Sequence, residues 1–335
     1  MARFTVLGAG SWGTALGILL AEQEEHQVIM WEFLPDVARQ LAAERVNRDF
    51  LPDTPFPDAL KVTNDLDEAL HGAEAVLIVV PSQFVRSVLK RIDTSRIDHP
   101  IWINCAKGIE TETLQRMSEV VEETLGEDAR SRYVVLSGPS HAEEVAKKLP
   151  TTVVAASERI DLARRVQNWM SSLYFRVYAA PDVIGVELGG SLKNVIAIGT
   201  GICDGLGYGD NTRGALITRG LVEIARAGTA LGGRPETFSG LSGMGDLITT
   251  CTSRHSRNRY VGEQLGKGRT LDDILQSMHM VAEGVKTTKS AWKLAQSIGV
   301  EMPITEQVYN IIFEDKSARE AVQSLMMRSL KVEHS

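Results

Sequence analysis

The sequence predicts an α/β fold, a doubly wound parallel sheet followed by an all-α C-terminal domain, and three observations predict it. The first half alternates short apolar, β-rich runs with helical segments, the pattern of strands joined by helices that lie on both faces of a sheet. One of those runs, Ala75–Val80 (AVLIVV), is apolar throughout, as a strand buried on both faces has to be. From about Asp182 onward strand signals almost vanish and helical periodicity dominates. The change places a boundary at Pro181, with one domain over residues 1–181 and a second over 182–335. A length of 335 residues suits two domains at about 150 residues each.

The elements follow in order. Phe4–Leu7 reads as a strand and Ala15–Glu22 as a helix, then Val28–Trp31 as a strand and Asp36–Arg45 as a helix. Ala75–Val80 ends at Pro81, which has no N–H to give to a ladder. Ile101–Cys105 and Tyr133–Leu136 repeat the pattern, each leading through a glycine-containing turn to a helix. Thr151–Ala155 and Phe175–Tyr178 flank another helix. The second domain carries helical patterns over Val183–Ile198, Ala215–Ala230, Leu271–Leu275, Val285–Ile298 and Ile304–Phe313. Glycine-rich loops are expected over Gly199–Gly209, Gly232–Gly245 and Gly262–Gly268.

Composition narrows the function. Lys and Arg total 36 against 43 Asp and Glu, a formal net charge of −7. Such a chain lacks the overall positive field of a nucleic-acid binder. Cys105, Cys203 and Cys251 are far apart and odd in number, so buried thiols are expected rather than a disulfide framework, and no metal cluster is indicated. The apolar stretch from Arg3 to Ala21 superficially resembles a signal peptide, but Gly8, Gly10, Gly13 and Gly17 interrupt it. No run approaches the ~20 apolar residues of a membrane span. A cytoplasmic protein is expected. The 29 glycines are the unusual count, and their placement carries most of the information.

Val6-Leu7-Gly8-Ala9-Gly10-Ser11-Trp12-Gly13 is a G-x-G-x-x-G turn with a strand before it and a helix after it. Gly8 permits the tight turn, Gly10 lets a pyrophosphate approach the backbone, and Gly13 lets the helix pack on the strand. In that context the turn predicts a Rossmann-like dinucleotide site. Glu32, at the end of the second strand, suits a ribose 2′-OH and repels a 2′-phosphate, which favours NAD over NADP. A solvated loop carboxylate is the alternative reading of Glu32.

Four polar segments supply the remaining candidates. Asn104-Cys105-Ala106-Lys107-Gly108 and Ser137-Gly138-Pro139-Ser140-His141-Ala142 follow strands, so Lys107 and Ser140 point at the ligand crevice. Ser140 also reads as an N-cap, with Glu143 completing a capping box, and His141 beside it is expected in solvent, with a general base as the alternative reading. Gly189 and Gly190 sit inside a helix at a cost of about 1 kcal/mol each, which points to close approach of another backbone or a flat ring. Lys193 follows amid Leu192, Val195 and Ile196, a setting that lowers a lysine pKa and suits proton transfer. A lysine snorkelling to the surface is the alternative. Finally, Ser242-Gly243-Met244-Gly245-Asp246 precedes Arg254, Arg257 and Arg259, and Ser256-Arg257-Asn258 reads as a helix start that makes an anion site for a phosphorylated substrate.

Several of these motifs, in this order, resemble the bacterial-type NAD(P)-dependent sn-glycerol-3-phosphate dehydrogenases. The resemblance rests on Gly8–Gly17, Asn47–Pro52, Cys105–Glu110, Ser137–Val145, Gly189–Leu206, Ser242–Ser253 and Ser256–Gly262, and covers nearly the whole chain. It implies a 6-phosphogluconate-dehydrogenase-like two-domain fold. It also implies reversible reduction of dihydroxyacetone phosphate to sn-glycerol 3-phosphate, for phospholipid synthesis. Lys193 matches the family's proton acceptor and donor. Lys107 matches a residue touching substrate and cofactor, and Asp246 a substrate contact that also suits holding Lys193 in position. Gly138, Ser140, Ser256, Arg257 and Asn258 match substrate contacts. Ser11, Trp12, Ala142, Arg257, Val281 and Glu283 match cofactor contacts; the last segment looks featureless apart from the resemblance. Many members carry Arg or His just after the second strand, whereas this chain has Glu32-Phe33, which supports NAD. A homodimer is plausible for such a fold. Two competing readings stay open: a relative acting on a 3-hydroxy acid, and a non-catalytic NAD-binding sensor.

Overall fold

The computed structural model describes residues 2–23, 26–278, 281–330 and 332–333. Residues 1 and 335, the expected outer limits of the two domains, lie outside them. The β-rich runs form β1 (Ala2–Leu7), β2 (His26–Trp31), β3 (Val46–Asn47), β4 (Leu51–Pro55), β5 (Leu60–Thr63), β6 (Ala75–Ile78), β7 (Ile101–Asn104), β8 (Tyr133–Ser137), β9 (Thr151–Ala156) and β10 (Phe175–Ala180). Eight of them make one sheet in the order β10-β9-β8-β7-β6-β1-β2-β5, and β3 pairs with β4 in a separate hairpin. The continuous apolar run has the expected cause. In β6, Ala75 and Leu77 pack into the core on one face, and Val76 and Ile78 into the core on the other.

Two features depart from the expected all-parallel sheet. The β8–β9 pair is antiparallel, although β9 and β10 are parallel to each other. The β8–β9 connection carries only the short helix Ala142–Ala146. After that helix the chain turns back beside β8 instead of crossing the sheet. The β3–β4 hairpin was also unanticipated, because Pro52 and Pro55 mask a strand pattern in β4; the four-residue edge strand β5 was unanticipated too, although it pairs parallel to β2.

Beyond β10 the described chain is helical. Asp182 caps the helix Val183–Gly205, its carboxylate accepting from the Gly185 N–H at 2.9 Å. This helix is tied to the sheet domain through Glu187, which accepts from Tyr133 Oη at 2.6 Å, the Ser118 N–H at 2.8 Å and Arg116 at 2.9 Å. The loop expected from Gly199 does not form there; the helix runs on to Gly205. Likewise Gly262 and Gly266 lie within the helix Arg257–Gly266, not in a loop. The reason is a backbone-to-backbone crossing. A Cβ on Gly201 or Gly205 would run into the carbonyls of Arg259 and Glu263, and one on Gly262 or Gly266 into those of Ile198 and Ile202. Close packing of the two helices outweighs the helix propensity lost at each glycine. No helix among the described residues is long and apolar enough to cross a membrane.

Candidate active site

The sheet order reverses between β1 and β6: the chain runs from β1 outward to β2 and β5, then returns to β6 on the other side. Strand ends diverge at such a point and open a crevice beyond their carboxyl termini. The glycine turn lies there. Gly8 has φ +114°, and a Cβ on it would sit 3.0 Å from the Val80 side chain. Gly13 lies so close to the Gly8 carbonyl that no side chain fits. Gly10 differs: it caps the helix Ser11–Ala21, and a Cβ there would meet no protein atom within 4 Å. Open space therefore faces the backbone where a pyrophosphate has to approach. Buried Asn47 braces the turn, donating to the Ala9 carbonyl and to Thr14 Oγ1, each at 2.8 Å.

A cleft of about 840 Å³ runs from this turn into the helical domain. All the candidate site residues line it except Gly13, which packs inside the turn, and Gly138. Gly138 contributes its carbonyl, which accepts from Lys107 Nζ and Ser140 Oγ, each at 3.0 Å.

The charged centre joins both domains. Lys107 follows β7, Lys193 sits on the long helix, and Asp246 begins the helix Asp246–Thr252. Asp246 is 2 % exposed. Its Oδ2 accepts from Lys107 Nζ at 2.7 Å and its Oδ1 from Lys193 Nζ at 2.6 Å. Lys193 is buried, so the snorkelling alternative is excluded. Burial lowers its pKa to about 8, against the opposing pull of Asp246. Burial alone would raise the Asp246 carboxyl; the two ammonium groups override it and hold it below its usual value. Gly189 explains how the elements come this close: a Cβ on it would lie 2.7 Å from the Ser242 carbonyl, just before the turn that carries Asp246.

Two partners escaped the sequence analysis. Thr250 Oγ1 accepts from Lys193 Nζ at 2.6 Å. It lies four residues after Asp246, one turn along the same face, and that spacing was a usable signal. Asn194 Oδ1 accepts from Asn258 Nδ2 at 2.9 Å, locking the long helix to the helix Arg257–Gly266.

Ser256 caps that second helix, as its position predicts, with Oγ accepting from the Arg259 N–H at 3.2 Å. Asn258 Oδ1 accepts from the Gly284 N–H at 2.9 Å. The arginine cluster, however, divides. Arg257 lines the cleft, while Arg259 turns away to bind Asp204 at 2.7 Å, and Arg254 is exposed outside the cleft. Nearby, Glu283 accepts from the Ser82 N–H at 2.9 Å, and Val281 lines the cleft half exposed.

Two expectations near β8 need correction. Ser140 is not the N-cap: His141 occupies that position without a side-chain cap bond, and Ser140 bonds back to Gly138. His141 is not in solvent but partly buried in the cleft wall, where its ring meets that of His255 from the helical domain. At the opposite end, Glu32 lines the cleft and its Oε1 accepts from the Leu34 N–H at 3.0 Å. The Arg91 guanidinium lies 5.4 Å from the Trp31 ring and 5.1 Å from the Phe33 ring, a basic neighbour that the local sequence did not reveal.

A dinucleotide turn opening onto a buried lysine supplied from the helical domain defines the class: a two-domain nicotinamide-dinucleotide-dependent dehydrogenase. Comparison with known proteins narrows it. Residues 3–163 match the N-terminal model of the NAD-dependent glycerol-3-phosphate dehydrogenases and residues 182–323 the C-terminal one. The chain belongs to that family. It is 51 % identical over 328 residues to the glycerol-3-phosphate dehydrogenase [NAD(P)+] of Bacillus pumilus, covering 98 % of this chain and 95 % of that one. It is also 51 % identical to the same-named protein of Prosthecochloris aestuarii, covering 98 % and 99 %. The crystal structure of a glycerol-3-phosphate dehydrogenase from Coxiella burnetii superposes with a TM-score of 0.92 at 42 % identity, covering 98 % of this chain and 99 % of that one.

Proposed function

We propose that the cleft reversibly reduces dihydroxyacetone phosphate to sn-glycerol 3-phosphate, with Lys193 exchanging the proton. One observation carries the assignment: Lys193 Nζ is buried and held by Asp246 and Thr250 in the same cleft as the glycine turn. The turn, the open backbone at Gly10 and the helix N-terminus behind it fit a dinucleotide. When bound, the nicotinamide supplies the hydride. Gly8, Gly10, Ser11, Trp12 and Gly13 shape its pyrophosphate end, and Lys107, Ala142, Arg257, Val281 and Glu283 its reactive end. Glu32 takes the ribose hydroxyls and favours NAD.

Lys193, as an ammonium, stabilises charge on the carbonyl oxygen and delivers its proton there; as the neutral amine it removes that proton in the reverse direction. Asp246 positions both lysines and balances their charge. Lys107, Gly138 and Ser140 orient the substrate, and Ser256, Arg257 and Asn258 receive its phosphate. The domains meet at residues 181 and 182. The enzyme works in the cytoplasm as a homodimer and serves phospholipid synthesis. A steady-state assay of dihydroxyacetone phosphate with NADH and NADPH in parallel tests the proposal. Turnover with NADH preferred is the expected result; absence of turnover with either refutes the activity, and a large NADPH preference refutes the role of Glu32.

A further inference from the structure

Glu187 lies on the long helix Val183–Gly205, six residues before Lys193 and about 9 Å from it along the axis. It is 6 % exposed. Four donors of the sheet domain close on its carboxylate: the Tyr133 hydroxyl at 2.6 Å, the Ser118 N–H and Oγ at 2.8 Å each, and Arg116 Nη1 at 2.9 Å. Ser118 is the second residue of the helix Met117–Leu125, whose N-cap residue Arg116 has no side-chain acceptor to offer. Glu187 therefore caps that helix from the other domain. Burial and the adjoining carboxylate push the Tyr133 hydroxyl well above its ordinary pKa, so it stays a donor.

The elements that Glu187 grips frame one of the two lysines of the charged centre. The loop that leaves β7 carries Lys107 and enters the helix Met117–Leu125 through Arg116. The helix of Glu187 meets the same loop from the other side. One turn after Glu187, on the same face, Gly190 packs so closely that a Cβ on it would lie 2.6 Å from Ser137 Oγ and 3.7 Å from Lys107 Cγ. About one further turn on, Lys193 donates to Asp246. Lys193 and Asp246 both belong to the helical domain and Lys107 to the sheet domain. The Lys107–Asp246 contact of 2.7 Å therefore depends on how the domains are docked, whereas the Lys193–Asp246 contact does not.

We propose that Glu187 is a positioning residue for the reaction: it docks the helical domain on the frame of the Lys107 loop and so sets how the two ammonium groups share Asp246. The inference rests on the dehydrogenase reading above. With the grip loosened, Lys107 withdraws from Asp246, which then serves Lys193 alone. The Lys193 ammonium faces Asp246, Lys107, the Cys251 thiol and, from the sheet domain, His141. Burial and Lys107 hold its pKa down and Asp246 holds it up, so opening this joint raises it. Loss of the Glu187 charge by itself acts with the opposite sign, because a nearby carboxylate favours an ammonium. The direction of the change thus separates position from field.

The test follows the pH dependence of dihydroxyacetone phosphate reduction, and NADH affinity by fluorescence titration, in wild type, Glu187→Gln, Glu187→Asp and Tyr133→Phe. Glu187→Gln keeps the shape and removes the charge that grips Arg116. Its kcat at pH 7 is expected to fall about tenfold, because Lys107 no longer stands where it orients the substrate. Its alkaline break is expected to rise about one pH unit above the wild-type break near pH 8. Its NADH affinity is expected within about threefold of wild type, because the glycine turn lies wholly in the sheet domain. Glu187→Asp keeps the charge and is expected to recover part of both losses. Tyr133→Phe keeps the carboxylate and the buried ring and removes one donor; its break is expected to rise about half a pH unit. A break that stays in place or falls in a Glu187→Gln enzyme that binds NADH overturns the proposal alone. Where Glu187→Gln does not fold, an unmoved break in Tyr133→Phe does so. A wild-type chain that does not turn over dihydroxyacetone phosphate overturns the dehydrogenase reading, and the proposal with it.

Discussion

Replacing Asp246 with Asn tests the charged centre most severely. The substitution keeps the shape of the side chain and removes the one negative charge shared by two ammonium groups, at 2.6 Å from Lys193 and 2.7 Å from Lys107. Removing one partner of a buried ion pair costs about 3–5 kcal/mol. Carried entirely by the proton affinity of Lys193, at about 1.4 kcal/mol per pKa unit, that is a fall of roughly 2–4 units. In the wild type the Lys193 pKa stands at about 8. The ammonium form is therefore abundant at pH 7, reduction weakens as pH rises through 8, and the reverse oxidation strengthens over the same range. In Asp246→Asn the pKa moves to about 4–6, and at pH 7 the ammonium is a minority of at most about one in ten. The assay is the pH dependence of dihydroxyacetone phosphate reduction. The variant is expected to lose at least about tenfold in kcat at pH 7 and to regain activity as pH falls toward 5. An Asp246→Asn enzyme whose rate still breaks near pH 8 refutes the coupling between the carboxylate and Lys193.

Other outcomes follow from the same geometry. Arg257→Ala removes the exposed guanidinium of the proposed anion site; the KM for dihydroxyacetone phosphate is expected to rise about 10- to 100-fold in steady-state kinetics, well beyond any change for unphosphorylated dihydroxyacetone, which meets Arg257 only through the cofactor. Glu32→Arg replaces a carboxylate with a phosphate-binding group beside Arg91, and the ratio of NADPH to NADH efficiency is expected to rise about tenfold or more. Gly262→Ala drives a methyl group into the Ile198 carbonyl; a loss of about 1–3 kcal/mol in denaturant unfolding is expected, and an unchanged midpoint contradicts the close helix crossing.

What was legible in the sequence was whatever had a local physical cause. A strand buried on both faces has to be apolar throughout, so Ala75–Ile78 was visible. A dinucleotide turn needs glycines where the backbone bends or meets a ligand, so Gly8, Gly10 and Gly13 were visible. What stayed hidden depended on distant partners. Gly201, Gly205, Gly262 and Gly266 look like loop residues because glycine is a poor helix former, and only the opposing helix backbone explains them as helix. Arg254, Arg257 and Arg259 look like one cluster, but Asp204, over fifty residues earlier, takes Arg259 out of it. His141 reads as a solvated residue until His255 arrives from the other domain. Thr250 was within reach of a spacing argument from Asp246, whereas Arg91 is brought to Trp31 and Phe33 by the fold alone.

The central claim is that Lys193 moves the proton in a cleft whose dinucleotide site stands without it. Lys193→Ala measures this directly, with NADH binding followed by fluorescence titration and dihydroxyacetone phosphate turnover followed in the same preparation. The account predicts NADH affinity within about twofold of wild type and kcat lower by about 10²- to 10⁴-fold. Turnover at the wild-type rate in a variant that binds NADH normally contradicts it.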